Sequence, residues 1–198
     1  MKLKKFYKSD LPTNLLEEID STYKACLADM RMAVSNDMWS ADQQKVQKKM
    51  IIPLLAKYRA LLTLGVAQEK ALMLTKKFSE NSAHKFNKVV KLFSRLPNFR
   101  KQFSKIFRKQ MATPGIWDNQ FIKDDQDEMV IDITKCLWKE TCDFFNYPEV
   151  CKIFCDNDWI LFGDLKTMHL ERAGTLGVGD QKCDFKFVFD KKTKSTKN

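Results

Sequence analysis

Apolar residues recur at helical spacing through the first half of the chain and at alternate positions near its far end. Over residues 11–35, Leu15, Leu16, Ile19, Tyr23, Cys26, Leu27 and Met30 fall on one side of a 3.6-residue repeat, which predicts an amphipathic helix. Asp10 or Thr13 is placed to cap it, with Pro12 in its first turn. Residues 41–64 predict a second helix, interrupted or kinked at Pro53, whose ring removes a backbone donor. Residues 66–80 (Val66, Ala71, Leu74, Phe78) and 82–96 (Phe86, Val89, Val90, Phe93, Leu96) read as two more. Pro97 closes the latter, because a residue before proline is pushed out of α geometry. A short helix over 98–110 carries Phe99, Phe103, Ile106 and Phe107.

Beyond the turn Ala112-Thr113-Pro114-Gly115 the pattern changes. Residues 117–128 are acidic and read as irregular. Met129 to Thr134 is short and β-branched, so it predicts a strand. Residues 136–146 read as helical, and Pro148 opens another helix to 162. Thr167 to Arg172 is a second candidate strand, and Gly174, Gly177 and Gly179 mark a turn. From Lys182 to Phe189, Cys183, Phe185, Phe187 and Phe189 alternate with Asp184, Lys186 and Val188, the period of a half-buried strand. The expected class is α+β: a helical region over 1–115, then a small, mostly antiparallel sheet packed with Cys-bearing helices over 116–190, then a flexible basic tail at 191–198, forming one compact unit.

Composition narrows the function classes. With 44% hydrophobic residues and 15 Phe, the 198-residue chain has material for a sizeable core and is unlike a disordered one. No run of about 18 apolar residues is present, which excludes a spanning helix on sequence grounds. The basic start, Met1 to Lys8, lacks the apolar stretch of a secretory signal, so a cytoplasmic protein is expected. The net charge of +10 belongs to the front: residues 1–115 hold 23 Lys/Arg against 9 Asp/Glu, and the remainder is net acidic.

Five of the six cysteines (Cys136, Cys142, Cys151, Cys155, Cys183) follow residue 135, with Cys26 apart. In a cytosolic chain such a cluster is buried, metal-binding or catalytic. Cys151, Cys155 and Asp158 share a helix face, a stripe able to chelate a metal or to pair a nucleophile with a base. If that helix packs on the sheet, Cys136 and Cys183 converge with them. Zinc is the weaker alternative, since no Cys-x-x-Cys knuckle is present, and no organic cofactor is expected. Core packing is the plainer reading of any single Cys. His84 and His169 stand outside any ligand spacing and read as structural. Gly174-x-x-Gly177-x-Gly179 precedes a strand rather than opening a helix, so it is not a dinucleotide fingerprint.

Several short motifs occur in fixed order: Cys136-Leu137-Trp138; Asn146-Tyr147-Pro148-Glu149-Val150-Cys151; Phe154-Cys155-Asp156-Asn157-Asp158; Glu171-Arg172-Ala173-Gly174-Thr175; and Gly179 with Cys183-Asp184-Phe185-Lys186-Phe187. Over residues 129–190 this order resembles the L-2-amino-thiazoline-4-carboxylic acid hydrolase family, whose Cys pattern is similar to that of vinyl-reductase-like small-molecule-binding domains. The resemblance implies a hydrolase that opens a cyclic amidine carboxylate with water, acting on a C–N bond and giving N-carbamoyl-cysteine. The same fold also supports a non-catalytic ligand-binding or sensory domain. The expected roles are these. Cys155 or Cys183 is the thiolate, and Asp158 or Asp184 is the general base. Arg172 forks onto a substrate carboxylate, with Cys136 and Cys151 lining the site. Thr175 and the glycine loop offer donors to a developing anion.

The segment 84–109 holds nine Lys/Arg, no acid and five Phe. That combination can bind nucleic acid, dock on an anionic membrane or mediate self-association. The plainer reading, which we favour, turns its Phe residues to the core and its lysines to solvent. The expected partner is therefore a small carboxylate-bearing molecule. Homo-oligomerisation is left open, and nucleic acid is not expected.

Overall fold

The computed structural model describes residues 2–163 and 165–190. The elements run α1 (Leu3–Phe6), α2 (Thr13–Ser35), α3 (Ala41–Val46), α4 (Ile52–Thr63), α5 (Gln68–Phe93), α6 (Phe99–Met111), β1 (Trp117–Asp124), β2 (Glu128–Cys136), α7 (Leu137–Phe144), α8 (Pro148–Phe162), β3 (Met168–Glu171) and β4 (Cys183–Phe189). The fold is α+β, a helical N-terminal half followed by a four-stranded antiparallel sheet. Contacts divide the chain into two compact units, Met1–Asn81 with Leu137–Phe154, and Ser82–Cys136 with Cys155–Asn198. The turn at 112–115 lies inside the second unit, between α6 and β1. The tail expected at 191–198 lies outside the described residues. Among those residues, no helix is long and apolar enough to cross a membrane.

The first unit is helical. Ile19, Met30, Ile51, Ile52, Leu55, Leu61 and Leu74 are fully buried within it. Several of its buried polar groups find partners: Tyr7 Oη donates to the Leu74 carbonyl at 3.3 Å, and Gln47 Nε2 donates to Thr141 Oγ1 at 3.1 Å, although Gln47 Oε1 has none. Tyr58 Oη donates to Glu149 Oε1 at 2.6 Å and stands edge-on to Tyr147. Such pairing is required of polar atoms removed from water. The break expected at Pro53 appears as a wide π turn over Gln47–Ile51 that ends just before it, giving the proline ring room in the first turn of α4.

Two expectations for the front are corrected, and one element is added. Neither Asp10 nor Thr13 caps α2. Pro12 is the N-cap residue with no side-chain bond, and Asp10 instead holds Lys77 Nζ at 2.8 Å. The helices expected over 66–80 and 82–96 are one helix, α5, because the polar run Ser79–Ser82 contains neither Gly nor Pro and lowers helix propensity only by tenths of a kcal/mol. A short helix, α1, precedes α2 and is tied to it by the Leu3 N–H, which donates to Asp20 Oδ1 at 2.8 Å.

The second unit is built on the sheet, in the order β1-β2-β4-β3. The alternation expected of β4 holds: Cys183, Phe185, Phe187 and Phe189 are buried and the residues between them are not. Met129, Ile131 and Ile133 from β2, and Met168 and Leu170 from β3, share that core with Phe99, Phe103, Phe107 and Met111 of α6. Phe187 is the centre, edge-on to Phe103, Phe107 and Phe162 at 5.1, 5.1 and 5.6 Å. One carboxylate fastens α6 to β1. Asp124 accepts from Ser104 Oγ at 2.7 Å, from Arg108 Nε at 2.6 Å and from Arg100. Burial works against its charge, but these three donors hold the carboxyl below the usual aspartate range.

The reading of 117–128 as irregular is overturned, since Trp117–Asp124 is a strand paired with β2. Its acids hid the alternation of Trp117, Asn119 and Phe121, which are less exposed than their neighbours. Asp125 makes the turn by accepting from the N–H groups of Asp127 and Glu128 at 2.9 and 3.0 Å. The plainer reading of 84–109 holds only in part. Phe99, Phe103 and Phe107 are in the core, whereas Phe86 is not.

Candidate functional site

The second unit gathers most of the residues singled out from the sequence around one loop. After β3 the chain turns through Ala173–Lys182 and returns as β4. Eight consecutive N–H groups in that turn have internal acceptors. Ala173 and Gly174 donate to the Asp184 carboxylate, the latter at 2.7 Å. Thr175 donates to Asp180 Oδ2 at 2.7 Å, Leu176 to Cys183 Sγ at 3.3 Å and Gly177 to Thr175 Oγ1 at 3.3 Å. The N–H groups of Val178, Gly179 and Asp180 donate to carbonyls of Thr175 and Leu176. Gly179 has φ 98°, the left-handed conformation that glycine adopts without strain. A Cβ on Gly174 would meet Asp180 and the Lys182 carbonyl at 3.3 Å, so the turn is closely packed there.

This scaffold sets Thr175 between two thiols. Its hydroxyl donates to Cys155 Sγ at 3.1 Å and lies 3.3 Å from Cys183 Sγ. Cys155 comes from α8 and keeps partial exposure, whereas Cys183 is buried at the start of β4. Burial pushes the Cys183 thiol up, opposed by the bonds from Thr175 and the Leu176 N–H and by the Arg172 charge. Cys183 therefore stays a neutral thiol at neutral pH, and the Thr175 hydroxyl is directed at the sulfur of Cys155.

The same site holds a partly buried ion pair. Arg172, only 4% exposed at the side chain, donates through Nη1 to Asp158 Oδ2 at 2.7 Å and through Nη2 to the Cys155 carbonyl at 2.9 Å. Its guanidinium also lies 5.0 Å from the Phe185 ring centre and 5.6 Å from that of Trp159, within cation–π range. Asp158, whose side chain keeps 26% exposure, has its carboxyl raised to about 6 by burial, against the lowering pull of Arg172. A carboxyl poised there exchanges protons near neutrality, as a general base requires.

The structure thus brings together Cys155, Cys183, Thr175, Asp158 and Arg172. Asp184, the alternative general base expected from the sequence, sits at the same turn with its carboxylate accepting from two backbone N–H groups. Cys136 ends β2, half-buried, and Cys151 belongs to the buried part of the first unit. His169 stands on the outer sheet face 3.4 Å from Glu171. Among the described residues no three His, Cys, Asp or Glu side chains are grouped so as to hold a metal ion. Sequence reasoning missed Asp180, Trp159 and Phe185. The Gly179-Asp180 pair was a turn signal that could have flagged the first.

The turn is a stability element as well. Asp184→Ala is expected to cost about 1–3 kcal/mol, because it strips acceptors from two N–H groups, while Asp184→Asn keeps one acceptor oxygen and costs less. Urea unfolding of both variants measures the difference.

The family model described as L-2-amino-thiazoline-4-carboxylic acid hydrolase matches residues 43–187. None of the curated proteins and none of the solved structures matches the chain.

Proposed function

The chain belongs to the L-2-amino-thiazoline-4-carboxylic acid hydrolase family, and on that premise we propose that its second unit opens a small cyclic amidine carboxylate with water. The observation that carries this reading is the Thr175 hydroxyl shared by Cys155 and Cys183, with the Asp158–Arg172 pair linked to Cys155 through its carbonyl. Cys155 is the nucleophile, being the more exposed thiol and the one to which Thr175 donates.

The bonds that change follow from the product. N-carbamoyl-cysteine keeps the ring nitrogen on the former amidine carbon, so the bond that breaks is the ring carbon–sulfur bond rather than a C–N bond. The Cys155 sulfur adds to the amidine carbon, and the proton it gives up passes to the substrate's own sulfur as that sulfur leaves. An isothiourea then joins Cys155 to the opened substrate. Asp158, as carboxylate, removes a proton from water as water attacks this carbon. The Cys155–carbon bond breaks, the thiol is restored and a urea is released. Substrate plus one water equals product, with no change in oxidation state. Arg172 holds Asp158 and the Cys155 carbonyl, which makes it a positioning residue.

The experiment is incubation of the purified protein with L-2-amino-thiazoline-4-carboxylate, following N-carbamoyl-cysteine and cysteine by mass spectrometry. Turnover should rise with pH through an apparent pKa near 6 as Asp158 loses its proton, and Asp158→Asn should remove that limb. Absence of turnover sinks the reading. A second reading, a non-catalytic binding domain, draws on the turn at 173–180, whose N–H groups all have internal acceptors and offer no backbone donor to an oxyanion. A saturable thermal shift with this compound, without turnover, would favour it.

A further inference from the structure

Four exposed large apolar side chains follow one another along one short stretch of the chain. Within the second unit, Phe86, Val89 and Leu92 of α5 are 57%, 58% and 66% exposed, and Leu96 in the following turn is 50% exposed. Phe86, Val89 and Leu92 are three residues apart and follow one side of the helix, while Ala83, Asn87 and Val90 turn inward. The helix is therefore apolar on two sides, one toward the core and one toward solvent. Lone exposed apolar residues are ordinary, but an ordered row of four is not.

The rim of this row is cationic. Lys85, Lys88 and Arg95 are exposed beside it, and 84–109 contains no acid. Arg100 and Arg108 are held on Asp124 and do not contribute in the same way. Charge complementarity calls for an anionic occupant. A second copy of a chain with net charge +10 would bring like charges together across the row. Single-stranded nucleic acid stacks on aromatic rings, and only Phe86 in the row is aromatic. Aliphatic side chains flanked by lysines suit the boundary between headgroups and acyl chains, where the apolar side inserts and the cations meet anionic lipid.

We infer that the Phe86–Val89–Leu92 row of α5 with Leu96 in the turn after it, rimmed by Lys85, Lys88 and Arg95, docks the protein on an anionic lipid surface. The inference is independent of the hydrolase reading, since none of these residues lies in the thiol site.

The test is co-sedimentation of the full chain with phosphatidylcholine vesicles, alone or with about one third phosphatidylglycerol. Binding to the mixed vesicles should be at least roughly tenfold tighter than to the neutral ones, since each cation near the surface contributes about fivefold. Phe86→Ser/Leu92→Ser, which keeps every charge, should lose roughly tenfold or more. Lys85→Glu/Lys88→Glu should abolish the preference for anionic lipid. Circular dichroism checks that these surface variants stay folded. Equal binding to both vesicles, or none to either, overturns the inference. So does anionic binding that Phe86→Ser/Leu92→Ser leaves unchanged, or an oligonucleotide that binds more tightly than the mixed vesicles at the same salt.

Discussion

Arg172→Ala is expected to destabilise the protein by roughly 3–5 kcal/mol, and to do so more severely above pH 6 than below it. The guanidinium is buried and compensates the Asp158 carboxylate at 2.7 Å. Removing it leaves a carboxyl whose ionised form has lost its counter-charge, along with the Cys155 carbonyl bond and the packing on Phe185 and Trp159. The pH dependence follows from linkage. In the folded protein Asp158 keeps its proton to about 6, while an ordinary aspartate loses it near 3.8. Between those values the folded state binds more protons than the unfolded state, so the contribution of this group to stability falls as pH rises. Arg172 opposes the rise in the carboxyl's pKa. Without it the folded value climbs further, and the window of loss extends upward. Urea unfolding of wild type, Arg172→Ala and Arg172→Ala/Asp158→Asn at pH 5 and pH 8 checks this. The double variant, with no charge left to bury, should recover much of the loss at pH 8. An Arg172→Ala variant that loses the same stability at both pH values would mean that Asp158 is not the group responsible.

The second large effect separates the two thiols. Cys155→Ser should lower thiazoline turnover by roughly four orders of magnitude or more, the scale of removing a covalent nucleophile. Cys183→Ser should lower it by roughly tenfold to a hundredfold, because a buried hydroxyl in place of the sulfur lets Thr175 shift without removing the reacting atom. Thermal unfolding of both variants separates loss of chemistry from loss of fold. Iodoacetamide mapping adds a readout that packing alone would not produce, with Cys155 modified ahead of Cys183. Equal losses in the two variants, or faster labelling of Cys183, would exchange their roles.

The strand β4 and the helix α8 were legible because their periods are clean: four buried positions alternate in Cys183–Phe189, and Pro148 marks a helix start. The strand Trp117–Asp124 was not, because the acidic residues that follow it coloured the reading of 117–128 while its inward positions were separated by polar ones. The site was half legible. Cys155, Cys183, Asp158, Arg172 and Thr175 could be named from motif order, but their pairing could not. That Arg172 would face an internal carboxylate, and that Asp180 and Asp184 would hold the backbone of a turn, depends on how β3 and β4 are joined. The motifs that carried the resemblance begin at residue 136, yet the family match begins at 43. The helical front therefore carries a family pattern spread over many positions, with no short motif to mark it.

The order of strands has a consequence for synthesis. β4 is the last of the four described strands to be made, yet it lies between β2 and β3 and supplies Phe187 to the centre of the core. As the chain emerges from the ribosome, β1 and β2 can form a hairpin against α6, but the core lacks the phenylalanines of β4 and β3 has no neighbouring strand to pair with. The second unit must wait for Cys183–Phe189 before its sheet closes, and the first unit must likewise wait for Leu137–Phe154. Nascent chains stalled before β4 would thus present Met129, Ile131, Ile133 and the α6 phenylalanines to chaperones and proteases, which ties quality control of this protein to completion of a single late strand.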